Sequence, residues 1–365
     1  MKTNWCVPVA ILSTFLVISC NKETDPIPQP GEKNARLELL LKGTPVSTGR
    51  STDATLPADE GNIKTIAVGV FSHASGDVNI ITEPTVAQSG STLSSINCTP
   101  GIVDIVVVVN APTGSFAGVL TKNDFIAKTV SLSTTQVSNV QTSDNLPMSG
   151  EATNITLTAD QTQAATISLS RLVARISINS IKTAFDVNGA YKNATFTLQK
   201  VFLYNAMSTS TVIPTVEPAG TTPIHGGVAP GGIWATNTPW LVDAITGVAN
   251  TEHTTPHWFY TFANDGTSTP TKFVIVGQLD IDGLGITPAE TVYYPIVVNK
   301  AQTGTVISGS VGDSTIKRNS EYKLTAIIKG KGVSDPDQNI DPASLALTIN
   351  VANWALTITQ DVIFE

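Results

Sequence analysis

The chain has 365 residues, 41% of them apolar and 14% charged, with 21 Lys and Arg against 29 Asp and Glu for a net charge of −8. That mixture can bury large cores, which excludes wholesale disorder, and with no basic surplus no nucleic-acid partner is expected. Four histidines and three cysteines in the sequence printed leave little material for a metal centre or a disulfide framework, so no metal and no cofactor is expected.

At the start, Lys2 precedes an apolar run over 5–18. The run is too short for a comfortable membrane span and no basic stop signal follows it. It ends in Leu16-Val17-Ile18-Ser19-Cys20, with an aliphatic residue three before a cysteine and a small residue just before it. This resembles the bacterial lipobox, which implies cleavage before Cys20 and lipidation of its thiol. An ordinary secretory signal that happens to contain a cysteine is the alternative. Residues 1–19 are read as a signal peptide. Residues 20–35, with Pro26, Pro28 and Pro30, are read as a lipidated cysteine and an extended spacer. Cys6 leaves with the signal. Cys98 then stands alone and reads as a small buried apolar residue rather than a nucleophile.

From residue 36 the pattern is nearly all strand. Leu37, Leu39 and Leu41 alternate with Arg36, Glu38 and Lys42, the period-two signature of a half-buried strand. Residues 63–71 read as a second strand. Residues 102–109 form a dense β-branched run between Pro100-Gly101 and Asn110-Ala111-Pro112, which predicts a strand covered on both faces. Phe116, Val119, Leu120 and Ile126 partly follow helical spacing and predict a helix over 116–128. A short closing strand is predicted at 155–157. A second strand-rich block begins near 166, with long strands at 166–181 and 195–204 and an irregular excursion over 207–240. Further strands are predicted at 272–280, 292–298 and 322–328. Leu345, Leu347, Ile349 and Val351 share one face. After Asn353-Trp354, Leu356, Ile358, Val362 and Phe364 share another, broken only by Gln360. The expected fold class is mostly β: two tandem β-sandwich-like (transthyretin-like) domains, 36–162 and 163–365, with one or two short helices.

No constellation of catalytic residues is present. Walker A, Gly-x-Ser-x-Gly and His-Glu-x-x-His motifs do not occur, so the chain is not expected to be an enzyme. His253 and His257 flank Thr254-Thr255-Pro256, which will not hold a helix, and they lack a third ligand. Asp280 and Asp282 before Gly283 echo a calcium loop without its further carboxylates. Asp335, Asp337 and Asp341 read as a polar turn. Trp234, Trp240 and Trp258 read as packing residues first and as a sugar-stacking platform second.

The two ends carry more information. After the strand at 37–42 comes a loop rich in Thr, Ser, Pro, Gly and Asp, with Arg50 between Gly49 and Ser51. An arginine in an exposed loop is open to a trypsin-like protease; a plain solvated loop residue is the alternative. Cleavage there would remove 36–50 with the lipid anchor and leave a groove of unpaired main chain and bare apolar sockets. Residues 355–365 have the length and alternation to fill such a groove in another copy by strand addition, with Leu356, Ile358, Val362 and Phe364 entering the sockets. A head-to-tail contact of this kind propagates as an open filament.

The order of these features, together with Asn34-Ala35-Arg36-Leu37-Glu38-Leu39-Leu40-Leu41-Lys42, Ser170-Arg171-Leu172-Val173-Ala174-Arg175-Ile176, Tyr293-Tyr294-Pro295-Ile296-Val297-Val298-Asn299, Ile316-Lys317-Arg318-Asn319-Ser320-Glu321-Tyr322-Lys323-Leu324 and Val351-Ala352-Asn353-Trp354, resembles the fimbrillin family, the FimA-like major subunits of Bacteroidales type V pili. The resemblance covers essentially the whole chain. It implies a lipoprotein precursor at the outer membrane, removal of the segment through Arg50 by an arginine-specific protease, and polymerisation by strand donation. Implied partners are other pilin subunits, including anchor and tip subunits, and host proteins or glycans. Arg36 and Lys42 are competing basic sites. A complete terminal segment and ordinary length favour a stalk subunit; a pilus anchor, a tip subunit, or a lipid-anchored glycan-binding protein are the alternatives.

Overall fold

Residues 34–43, 59–84, 95–138, 140–214, 223–227 and 238–354 are described by the computed structural model, and all lie in the compact unit that starts at Asn34. Strand β1 (Ala35–Gly43) buries alternate residues, as its sequence alternation requires. It is followed by β2 (Ile66–Ser72), β3 (Val78–Thr82), β4 (Ile96–Cys98), β5 (Gly101–Val109), β6 (Met148–Leu157) and β7 (Thr162–Arg171). These seven strands form a sheet in the order β3-β2-β5-β6-β7-β1-β4.

The sheet doubles back on itself at β7. Only Ser170 and Arg171 of β7 pair with β6, whereas 162–169 pair with β1 in parallel. The strands β7, β1 and β4 therefore form one layer, and β3, β2, β5 and β6 form another. Between the layers lie Ala35, Leu37, Leu39, Ala165, Ile167 and Leu169 from one side, and Ile66, Val68, Val70, Val103, Ile105 and Val107 from the other. The opposite face of β2 and β5 is covered too. Phe71, Val106 and Val108 join a second cluster with Phe116 and Phe125, whose rings stack 4.1 Å apart. From Val103 to Val109 the β-branched run has the two-sided cover its composition demands, Asp104 being buried with the rest, whereas Ile102 is exposed.

The second lobe pairs two sheets. Strands β8 (Val173–Thr183), β9 (Thr195–Tyr204), β10 (His257–Phe262), β11 (Lys272–Asp280), β12 (Glu290–Val297), β13 (Thr305–Ser308), β14 (Ser320–Ile328) and β15 (Leu345–Asn353) carry it. β10, β8, β14, β15 and β13 lie side by side in one sheet, and β9, β11 and β12 in the other. Ile176, Ile178, Leu198, Leu203, Phe273, Tyr294, Tyr322, Leu324, Leu347 and Ile349 fill the space between them. The two lobes are stitched together by the pair Thr129–Ser131 and Thr209–Thr211. The Gln141 amide adds a second stitch: its Oε1 accepts from the Tyr260 main-chain N–H at 2.8 Å and its Nε2 donates to the Tyr260 carbonyl at 3.2 Å.

Three expectations are corrected. The run 166–181 is two strands, not one, because the chain changes sheet at Leu172, whose N–H donates to the Pro147 carbonyl at 2.9 Å. β7 pairs with the strands of the first lobe and its apolar face packs there. The predicted helix over 116–128 shrinks to α1 (Lys122–Ile126), capped by the Thr121 hydroxyl. Gly118 sits at φ +72°, a left-handed turn that no helix continues through, so Phe116 reaches the core from a turn. The closing strand expected at 155–157 is the end of the ten-residue β6.

Candidate functional site

β1 is the first strand of the compact unit and lies inside the sheet rather than on its rim. On one side 36–43 pair with β7; on the other 35–37 pair with β4. Leu37 and Leu39 are fully buried, Leu41 is half-buried and Leu40 faces out, so the leucines of the predicted alternating face point to the core. Arg36 and Lys42 are exposed but held in the strand. The layer behind is closely fitted. An added Cβ at Gly150 of β6 would lie 2.3 Å from the Ser168 carbonyl oxygen of β7, so only glycine lets the two layers approach this closely there. Cys98 of β4 is buried, and burial pushes its thiol up to about 11; it is a core residue, not a nucleophile. Cys20, Arg50, Ser51, Leu356, Ile358, Val362 and Phe364 lie outside the described residues.

A buried polar cluster joins this region to the end of β15, and it is absent from the reading by local pattern. In sequence Glu60 comes ten residues after Arg50, and Trp354 directly precedes 355–365. The two meet: Trp354 Nε1 donates to Glu60 Oε2 at 3.0 Å. Glu60 Oε1 accepts from Arg175 Nη1 at 2.5 Å and from the Tyr260 hydroxyl at 2.8 Å. Arg175 also pairs with Glu321 of β14. Arg171, the last residue of β7, donates through Nε to the Glu60 carbonyl at 3.1 Å and through Nη1 to the Trp354 carbonyl at 3.4 Å. Its guanidinium carbon lies 4.1 Å from the Trp354 ring centroid, that of Arg175 4.9 Å, and the Tyr260 ring is nearly parallel to Trp354 at 5.8 Å.

Two carboxylates thus face two guanidiniums in a dry site, the condition under which buried charges are tolerated. Burial pushes the Glu60 carboxyl up, while Arg175 and Arg171 pull it back down. Burial lowers Arg171 to about 10. Burial and the neighbouring Glu60 raise the Tyr260 hydroxyl well above its ordinary range, so it stays a donor. The sequence did hold a signal: Arg171 and Arg175 interrupt an otherwise apolar stretch, at even spacing.

Comparison with known proteins covers nearly the whole described length. The family model of the major fimbrial subunit protein (FimA) matches residues 35–185, and that of the FimA-like major fimbrial subunit protein, C-terminal domain, matches 176–354. The chain belongs to the FimA-like fimbrial subunit family. It is 29% identical over 156 residues to the major fimbrium subunit FimA type-4 of Porphyromonas gingivalis, a stretch spanning 36% of this chain and 40% of that relative. Among solved structures, a fimbrilin (FimA) from P. gingivalis W83 superposes with TM-score 0.66 at 20% identity, covering 89% of this chain and 99% of that one. The tip fimbrial protein Mfa3 from P. gingivalis, with a C-terminal truncation, gives 0.51 at 15% identity over 88% and 100%. At these identities the structures speak to fold alone.

Other residues singled out in this fimbrial chain take structural places. Trp240 is buried, Trp258 packs half-buried on the second-lobe core, and Trp234 lies outside the described residues, so Trp240 and Trp258 make no exposed stacking platform. Asp280 accepts from the N–H groups of Asp282, Gly283 and Gly285, and Asp341 caps a short turn at Ala343. Asp337 accepts from the Tyr204 hydroxyl. His253 and His257 do meet, with Nε2 atoms 2.9 Å apart, and Asp243 Oδ2 lies 3.0 Å from His257 Nδ1. Among the described residues no group of three His, Cys, Asp or Glu is placed to hold a metal ion.

Proposed function

We propose that this chain is a stalk subunit of a cell-surface pilus: exported as a precursor lipidated at Cys20, cut after Arg50, and polymerised when residues 355–365 of one copy occupy the place β1 leaves in the next. One observation carries this reading. β1 is an interior strand of its sheet, yet it is the first strand of the compact unit, so a single cut in the loop after Gly43 frees it.

The energetics support the need for a replacement. Burying Leu37 and Leu39 is worth roughly 1.5–3 kcal/mol each, a sizeable share of the ~5–15 kcal/mol that holds a typical domain folded. Losing β1 also exposes the 162–169 edge of β7 and strips β4 of its partner. A strand with apolar residues at every second position restores both terms, and Leu356, Ile358, Val362 and Phe364 supply that pattern. The match to major-subunit models along 35–354 favours a stalk over an anchor, which would keep β1.

The test is to treat purified precursor with an arginine-specific protease, sequence the new N-terminus and look for ladders on a gel. The expected start is Ser51, with ladders that vanish in Arg50→Ala and in a variant lacking 355–365. Cleavage at Arg50 with only monomers afterwards would overturn the assembly reading; an uncut, still lipidated chain in native fibres would assign the anchor role.

A further inference from the structure

We propose that the Arg171–Trp354 contact is the internal link through which tension crosses a polymerised subunit, an inference that rests on the strand-exchange reading above. Under that reading the incoming strand lies against 162–169 of β7, and the outgoing strand begins at residue 355. Arg171 ends β7, and Trp354 precedes the outgoing strand. These two residues touch: the guanidinium covers the indole at 4.1 Å and donates to the Trp354 carbonyl at 3.4 Å.

Asn319 adds a second strut beside the first. Its carbonyl accepts from the Trp354 N–H at 2.9 Å, its own N–H donates to the Val173 carbonyl at 2.9 Å, and its side-chain oxygen accepts from the Arg171 N–H at 3.4 Å. Asn319 holds φ +51° to do so, a conformation asparagine tolerates better than most residues. A longer ordered route from Trp354 back to β7 runs through β15, β14 and β8 along two ladders and then through Leu172. The short route bypasses both ladders.

Glu60 pins a third point. It binds Trp354 Nε1, Arg175 and Arg171 at once, so the chain that follows the cut is fastened where the load passes, and pulling on the groove does not peel β2 from its sheet. Low local dielectric strengthens such a satisfied network.

The experiment pulls single filaments assembled from cut, full-length subunits and records the force at which subunits yield. Arg171→Lys removes the planar fork but keeps the charge. Trp354→Phe keeps a ring but loses the Nε1–H. Val276→Ala, in the separate cluster on the outer face of β11, serves as a control, compared at urea concentrations that equalise monomer stability. Filaments of Arg171→Lys are expected to yield at lower force than the matched control. Should that variant fail to fold, Trp354→Leu, which removes the ring beneath the Arg171 guanidinium, carries the same comparison, with Trp354→Phe as the variant that keeps that ring. Equal yield forces overturn the link while leaving strand exchange intact. A wild-type precursor that is cut and never polymerises overturns the assembly reading, and the link with it.

Discussion

Leu39→Ala separates what β1 does before processing from what remains after it. Leu39 is fully buried among the residues between the two layers of the first lobe. Truncating such a leucine costs about 2–5 kcal/mol, the transfer term plus the cavity left behind. With a urea slope of about 2 kcal/mol per molar, the precursor's unfolding midpoint falls by roughly 1–2.5 M. Under the proposed excision residue 39 leaves before assembly, so the same substitution is silent in the polymer. Ile167→Ala, on β7 in the same buried cluster, is the contrasting case: it weakens precursor and polymer alike. The assay is urea unfolding of the precursor followed by heat dissociation of filaments on gels. A Leu39→Ala filament that dissociates earlier than wild type refutes the excision argument, and an unshifted precursor midpoint refutes the placement of β1.

The remaining predictions follow from individual contacts. Glu60→Gln leaves Arg171 and Arg175 short of a buried counter-charge and costs about 3–5 kcal/mol, read as a lower urea midpoint. Gly150→Ala forces β6 and β7 apart by placing a Cβ 2.3 Å from the Ser168 carbonyl oxygen; overpacking of this kind costs about 1–3 kcal/mol, and differential scanning calorimetry reads it as a lower Tm. Cys98 reacts slowly with iodoacetamide in the precursor, faster in the cut monomer whose β4 has lost β1, and slowly again in the filament. Burial lowers the pKa of His225, and burial together with the charge of His257 lowers that of His253, both from an ordinary 6.5. The unfolded chain therefore takes up these protons first as pH falls, so the contribution of these two histidines to stability is flat above about pH 7 and declines below 6.5. His253→Gln flattens that decline in urea midpoints measured against pH.

Local pattern was enough for elements whose burial repeats along the chain. Leu37, Leu39 and Leu41 announce β1 because every second side chain faces one core, and the unbroken β-branched run of β5 announces cover on both faces. The same logic fails where a strand changes layer without changing composition. Nothing in the apolar stretch around Leu172 marks the step from β7 to β8, so the two strands read as one run over 166–181. Helical spacing at 116–126 misled because Gly118, in a left-handed turn, outweighs four apolar residues at suitable intervals. Arg171 and Arg175 stood out in their apolar stretch, but the Glu60 cluster as a whole was illegible for a different reason. Residues 60, 171, 175, 260, 321 and 354 come together only through the topology, and no local window contains more than two of them. The tryptophans show the converse: residue type alone favoured packing over a surface platform, and packing is where Trp240 and Trp258 lie.

The parallel register between β1 and β7 has a metric consequence. Sockets that accept every second side chain can be refilled only in whole two-residue steps, about 6.6 Å apart along a strand, because a one-residue slip would turn polar groups inward. Under the proposed strand exchange, subunit spacing along a fibre is therefore digital: one preferred repeat, with any misassembled joint offset by a full step rather than by a continuous drift. Such discreteness lets a thin polymer keep a constant pitch without any external ruler.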